Sequence, residues 1–217
     1  MKLENMFGLS YCVNLDSRKD RWEQSQKEFE KIHFYPERFS AIQDEIPARG
    51  CYRSHLAILK EAYDKNANVL IFEDDIEFVH PLSPENALQY GDINGVIEQA
   101  MEDLTVLNWW DMFYLGGNIL RHFYQVSPVL AKLTHCQSTH AYGVNKKFLP
   151  QLIAHLEKNK NILDVLYADT VIPFSNCFIT IPMLAIQRTD YSDIEKTKMT
   201  YDIPIERYNK FLVRRML

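Results

Sequence analysis

Three consecutive carboxylates, Glu73-Asp74-Asp75, close a short apolar run from Asn68 to Phe72. Like charges packed together repel, so such a triplet is costly unless water or a cation accompanies it. Along an extended chain Glu73 and Asp75 point to one side and Asp74 to the other. Hard divalent ions such as Mn²⁺ or Mg²⁺ take carboxylate oxygens and leave positions open for phosphate oxygens. The same acids could instead cap a helix or sit on a solvated loop, and spacing alone does not choose between these readings.

Other stretches carry chemistry-bearing residues. Val13-Asn14-Leu15-Asp16-Ser17-Arg18 runs on to Arg21 and Trp22, placing two guanidinium groups after a strand-like segment. Their planar forks suit phosphate, although an ordinary charged helix start reads the same way. In Gly50-Cys51-Tyr52-Arg53-Ser54-His55, Cys51 and His55 lie four apart and share a helix face. A nucleophilic Cys/His pair needs a thiolate and a third, orienting group; a buried thiol with a structural imidazole is the plainer reading. Trp110 to Asn118 reads as a strand running into Gly116-Gly117, a pair that lets another group approach the backbone closely. His140-Ala141-Tyr142-Gly143-Val144 is ambiguous in the same way.

Strands and helices alternate around these segments. Leu9 to Leu15 forms a first strand, and Ser17 with Asp20 resembles a capping box for a helix reaching Lys31. Phe34 to Ile42 follows as a strand, then a helix from Pro47 to about Asn66, with Leu56, Leu59 and Tyr63 on its core side. Ser83-Pro84 is an N-cap pattern for a helix running to about Leu107, interrupted by Gly91 and Gly95. Asp111 to Leu115 is a strand, and residues 122–144 suggest short antiparallel strands. Asn145 to Lys158 and Ile162 to Val171 are helical, and Cys177 to Ile186 is a strand pair broken by Pro182. The alternation predicts one α/β domain over residues 1–217, a three-layer α/β/α arrangement with a mixed, mostly parallel sheet. In such sheets ligands bind beyond the C-terminal strand ends, where the acidic triplet falls.

A chain of 217 residues, 47% hydrophobic, can bury one substantial core. A formal net charge of −5 argues against nucleic acid as the main partner. No apolar run approaches the roughly 20 residues of a transmembrane segment, and the start lacks signal-peptide character. Cys12, Cys51, Cys136 and Cys177 are far apart in sequence and form no CxxC or Cys/His cluster, which reads as reduced thiols in a soluble cytoplasmic protein and argues against a structural zinc site.

Taken in order, these segments resemble glycosyltransferase family 25, which contains lipooligosaccharide galactosyltransferases and procollagen galactosyltransferases. The resemblance rests on Val13 to Trp22, Gly50-Cys51 with Ser54-His55, Glu73 to Asp75, Trp110 to Gly116, Ala141-Tyr142, and a late Pro182, Gln187 and Ser192-Asp193-Ile194. It spans about residues 9–195. Ala48-Arg49 departs from the family, where Gly-Glu is common before Gly50. The resemblance implies a GT-A type (Rossmann-like) fold and an inverting transfer of galactose or glucose from a UDP-sugar, with Mn²⁺ or Mg²⁺. The acceptor would be a hydroxyl of a glycan or of a hydroxylysine-type side chain. Asp75 with Glu73 would hold the metal. Asn14, Leu15, Arg18, Arg21, Ser54, His55, Glu73, Asp74, Gln187 and Asp193 would line the nucleotide-sugar site. Asp164 is the first choice for the base, followed by Asp169 and then Asp193. Two other readings compete: an inactive sugar- or nucleotide-binding module of the same fold, and a nucleotidyltransferase, which would want a Gly-rich basic loop that this sequence lacks.

Overall fold

The computed structural model describes residues 1–79, 90–192, 197–199 and 212–213. A short helix, α1 (Leu3–Met6), precedes β1 (Leu9–Asn14), α2 (Lys19–Lys31), β2 (Glu37–Ser40), α3 (Pro47–Asp64), β3 (Val69–Glu73) and β4 (Ile76–Phe78). Next come α4 (Ile93–Leu107), β5 (Met112–Tyr114), β6 (Asn118–Ile119), β7 (Phe123–Gln125), β8 (Leu130–Lys132), β9 (Cys136–Gln137) and β10 (Ala141–Val144). The chain continues through α5 (Leu149–Lys158), α6 (Leu163–Leu166), β11 (Cys177–Thr180), β12 (Ala185–Gln187), β13 (Asp190–Ser192), β14 (Thr197–Met199) and β15 (Leu212–Val213).

Nine strands form the central sheet in the order β15-β7-β8-β11-β5-β10-β3-β1-β2. β1 runs parallel to both β2 and β3, β11 to β5, and β15 to β7. β10 is antiparallel to β3 and β5, and β8 is antiparallel to β7 and β11. Parallel and antiparallel ladders are therefore equally represented, which corrects the expected parallel majority. The cause is β10, which inserts between β3 and β5 against their direction, and the β7–β8 pair beyond β11.

Alternating strand residues feed two cores. Tyr11, Val13, Ile71, Tyr114 and Tyr142 pack on one face against α3 and α5. Cys12, Leu70, Phe72, Phe113 and Phe178 pack on the other against α1, α2 and α4. The sheet is thus sandwiched between helices, and its strands are apolar on both sides as that burial demands.

Several local expectations need correction. Tyr63 is 52% exposed, whereas Leu59 is buried and Leu56 packs on the core as expected; His55, Ile58 and Ala62 complete the buried stripe of α3. No side chain caps α2, because the Asp20 carboxylate is taken by Arg18 at 3.1 Å. Gly91, with φ 78°, lies before α4, and Gly95 lies within it, its N–H donating to Asp92 Oδ1 at 3.1 Å. Ser83-Pro84 lies outside the described residues. Pro182 does separate β11 from β12, through a cis Ile181–Pro182 bond.

Candidate active site

The acidic triplet sits where β3 turns into β4, and each acid goes a different way. Asp74 turns towards α2. Its Oδ1 accepts from Arg21 at 3.1 Å and its Oδ2 from Asn14 Nδ2 at 2.7 Å. Ser25 Oγ and Arg188 Nη2 donate to its carbonyl at 2.9 and 3.0 Å. The i, i+4, i+8 stripe Arg21, Ser25, Phe29 explains this: Phe29 buries against Phe72, so Ser25 and Arg21 are carried along the same face to the turn. Burial raises the Asp74 pKa, and Arg21 opposes that shift.

Asp75 is less well provided for. Its Oδ2 receives one long bond from Gln187 Nε2 at 3.4 Å, and its Oδ1 is buried with no hydrogen-bond partner among the described residues. Burial, and then the Asp74 charge, push its pKa up. Gln187 reaches this point because β12 pairs with β4, Gln187 opposite Ile76. Gly116 permits that crossing: a Cβ there would lie 1.7 Å from the Ala185 carbonyl oxygen. The Gly turn thus admits the chain's own strand, where the sequence left room for a ligand.

Glu73 faces α3 and the 138–140 segment. Its N–H donates to the His140 carbonyl at 3.0 Å, and its Oε1 accepts from Thr139 Oγ1. Burial raises its pKa first, and the Asp75 charge next.

α3 opens on the same space. Gly50 allows the 41–44 loop to lie on the helix, since a Cβ would come within 2.6 Å of the Ile42 carbonyl oxygen. Ser54 Oγ accepts from Ile42 N at 2.8 Å and fixes that loop. Asp44 is gripped by Arg49 and Arg53, at 2.7 and 3.1 Å, which hold its carboxyl well below the usual range. One and two turns further on stand Cys51 and His55. His55 stacks on Tyr142 at 5.7 Å between centroids and 5° between planes, and its Nδ1 meets the Tyr142 hydroxyl at 2.9 Å. Burial lowers its pKa to about 3, so the imidazole is neutral. Its Nε2 is buried, without a hydrogen-bond partner among the described residues, 3.6 Å from Glu73 Oε1. Burial also raises the Cys51 thiol, so it is no ready thiolate nucleophile. Cys51, His55 and Glu73 place their ligand atoms within 4.8 Å of one another, which corrects the expectation of no Cys/His cluster. Separation in sequence hid it, because Glu73 arrives from β3.

These groups line a cleft of about 380 Å³, within the size range of small-molecule sites. Of the residues singled out in the sequence, Leu15, Arg21, His55, Glu73, Asp74, Asp75 and Gln187 line it. Asn14 and Ser54 stand behind it as supports. Arg18 pairs with Asp20. Asp164, at the start of α6, is near enough to raise the pKa of Glu73. Asp169 is exposed and 3.4 Å from His135 Nε2. Asp193 lies outside the described residues. Sequence reading missed Thr139, Ser138, Asp44 and Arg188. Ser138 does carry a signal once the backbone is known: a φ of 96°, rare for a residue with a side chain, which brings its hydroxyl to Gln187 Oε1 at 3.0 Å.

The sequence profile of Glycosyltransferase family 25 (LPS biosynthesis protein) matches residues 47–172, from the start of α3 to the turn after α6. No curated protein matches the chain. Among solved structures, that described as A197 from STIV aligns with 89% of this chain and 98% of its own, at 10% identity and a TM-score of 0.44.

Proposed function

The chain belongs to glycosyltransferase family 25, and from that premise we propose that the Glu73–Asp75 cleft binds a nucleoside diphosphate sugar and passes its hexosyl group to an acceptor hydroxyl. The donor is UDP-galactose or UDP-glucose, the acceptor a glycan hydroxyl of the kind used in glycan biosynthesis, and the fold a GT-A variant. The observation that carries this reading is the partnerless, buried Oδ1 of Asp75 at a strand end inside a cleft of ligand size. Two further features support it. The 18-residue α3 begins at the cleft, and a helix N-terminus favours an anion such as a diphosphate. Arg21 and Arg188 also stand beside the turn and balance part of its negative charge.

A hard divalent cation fits the donor set. Asp75 offers an unsatisfied oxygen and Glu73 lines the same cleft, both with pKa values raised first by burial and then by a neighbouring carboxylate. Bound there, Mn²⁺ or Mg²⁺ supplies positive charge against the negative charge gathering on the departing diphosphate. The chain's own residues do the rest. Asn14, Arg21 and Ser25 hold the turn, Gln187 orients Asp75, and the 41–44 loop walls the cleft. In this reading Asp164, whose charge is felt at Glu73, takes the acceptor proton in an inverting displacement. A product with the donor's anomeric configuration would remove Asp164 from that role.

The test is a panel of nucleotide sugars, assayed for Mn²⁺-dependent binding and slow hydrolysis. Metal-dependent binding of one UDP-sugar with turnover supports the proposal. Binding without turnover on any acceptor points instead to an inactive module. Absence of any metal-dependent UDP signal sinks both.

A further inference from the structure

We propose that Cys51, His55 and Glu73 form a second cation site, a three-ligand set for a borderline-soft divalent metal, Zn²⁺ in preference to Mn²⁺ or Mg²⁺. Their ligand atoms already lie within 4.8 Å of one another. His55 Nε2, on a fully buried side chain, has no hydrogen-bond partner among the described residues and sits 3.6 Å from Glu73 Oε1. That separation is too long for a hydrogen bond. It is close to the edge of a zinc coordination shell, where bonds of about 2.0–2.2 Å set N···O edges of roughly 3.3–3.6 Å.

The surroundings are those of a ligating imidazole. A metal-bound histidine normally engages its other ring nitrogen, which fixes tautomer and ring orientation. Here Nδ1 meets the Tyr142 hydroxyl at 2.9 Å, and that hydroxyl lies 3.4 Å from the Tyr167 hydroxyl. With Nδ1–H donated to Tyr142, the Nε2 lone pair faces Glu73 and the Cys51 side of α3. Glu73 is steadied in turn by Thr139.

Ligand chemistry sets the metal. Thiolate and imidazole select zinc-like ions, whereas hard cations prefer all-oxygen sets such as Asp75 offers. Three protein ligands leave a fourth position for water or a cleft ligand, since Cys51, His55 and Glu73 all line the cleft. Binding involves no redox change: the Cys51 thiol gives its proton to solvent as the metal–sulfur bond forms, and Glu73 gives up any proton it carries. The site does not depend on the donor-sugar reading, but it shares Glu73 with the hard-cation set.

Cobalt titration of the full chain without nucleotide sugar tests it. Stoichiometric Co²⁺ is expected to give a thiolate-to-cobalt charge-transfer band that Zn²⁺ displaces. Cys51→Ser should abolish the band, and His55→Gln should weaken zinc binding by at least about 100-fold. Tyr142→Phe should weaken it by about 10–100-fold. Asp75→Asn should leave the band in place. A band that survives Cys51→Ser, one that vanishes in Asp75→Asn, or the absence of any band at stoichiometric cobalt overturns the proposal. If a Cys51 or His55 variant fails to fold by circular dichroism, displacement by Zn²⁺ and the Asp75→Asn comparison still decide the matter.

Discussion

Arg21, on the first turn of α2, closes on Asp74 at 3.1 Å, with both side chains almost fully withdrawn from water. Its neighbour Asp75 has no such partner. This asymmetry predicts opposite effects on stability. Asp74→Ala removes the carboxylate that receives the buried Arg21 guanidinium and is expected to cost about 3–5 kcal/mol. Asp75→Asn removes a poorly satisfied buried acid, so the metal-free variant should melt at or above the temperature of the wild type while losing Mn²⁺-dependent stabilisation. Thermal melts with and without Mn²⁺ check both; a strongly destabilised Asp75→Asn would show that Asp75 is structural.

The triplet was visible in the sequence because it ends an apolar run, and alternation along a strand already separated Asp74 from Glu73 and Asp75. The strand–helix order of the first half was legible because β1 and β3 are short apolar runs and α3 starts on Pro47, although the capping box read at Ser17 and Asp20 does not form at α2. The sequence showed short antiparallel strands within residues 122–144, β10 among them, but did not disclose that β10 inserts between β3 and β5. Nor did it disclose the contacts that complete the site. Thr139 meets Glu73 across 66 positions and Gln187 meets Asp75 across 112, and such pairings leave no local pattern. The family resemblance marked Gly50, Ser54 and Gly116 without saying why; their work is to let loops and strands cross closely.

Gly50 allows a direct test of that role. A methyl group there would press the Ile42 carbonyl oxygen at 2.6 Å, backbone that cannot yield without moving the loop. Gly50→Ala is expected to cost about 1–3 kcal/mol, as overpacking does, and to weaken donor binding more than Mn²⁺ binding. Equal loss of both, by calorimetry, would show that the loop does not wall the nucleotide side.

The buried ionisable groups predict how stability varies with pH. Glu73 and Asp75 have folded pKa values raised above their ordinary ones. Their contribution is fully present below the unfolded carboxylate range and is lost as pH rises through the raised folded values. His55 and His140 are lowered to about 3 and about 4 by burial, so their contribution is present above the ordinary histidine value of 6.5 and is lost as pH falls through the folded values. The metal-free protein should therefore be most stable on the acid side of neutrality. Mn²⁺ should raise the melting temperature increasingly as pH rises, and Asp75→Asn should flatten the alkaline limb. Melts across pH with and without Mn²⁺ decide it; a metal-free maximum at alkaline pH would contradict the account.

Asp164 and Asp169 sit five residues apart but in different surroundings, and they give the sharpest functional contrast. Asp164 is half-buried at the start of α6, and its charge is felt by Glu73 and Cys51 in the cleft. Asp169 is exposed and turned to His135, whose ring is itself buried. A base must reach the acceptor hydroxyl, and only the first residue shares the electrostatic neighbourhood of the triplet. Asp164→Asn is expected to lower transfer by about 10²–10⁴-fold, the range general-base loss produces, while donor binding and slow donor hydrolysis persist. Asp169→Asn should change transfer less than about twofold and cost at most about 1 kcal/mol, since the Asp169 carboxylate is exposed and solvent screens its contact with His135. Single-turnover assays with the donor found in the nucleotide-sugar panel separate the two. Near-normal transfer by Asp164→Asn would return the acid to a purely local role, its carboxylate Oδ1 accepting from Val165 N at 2.7 Å at the start of the helix.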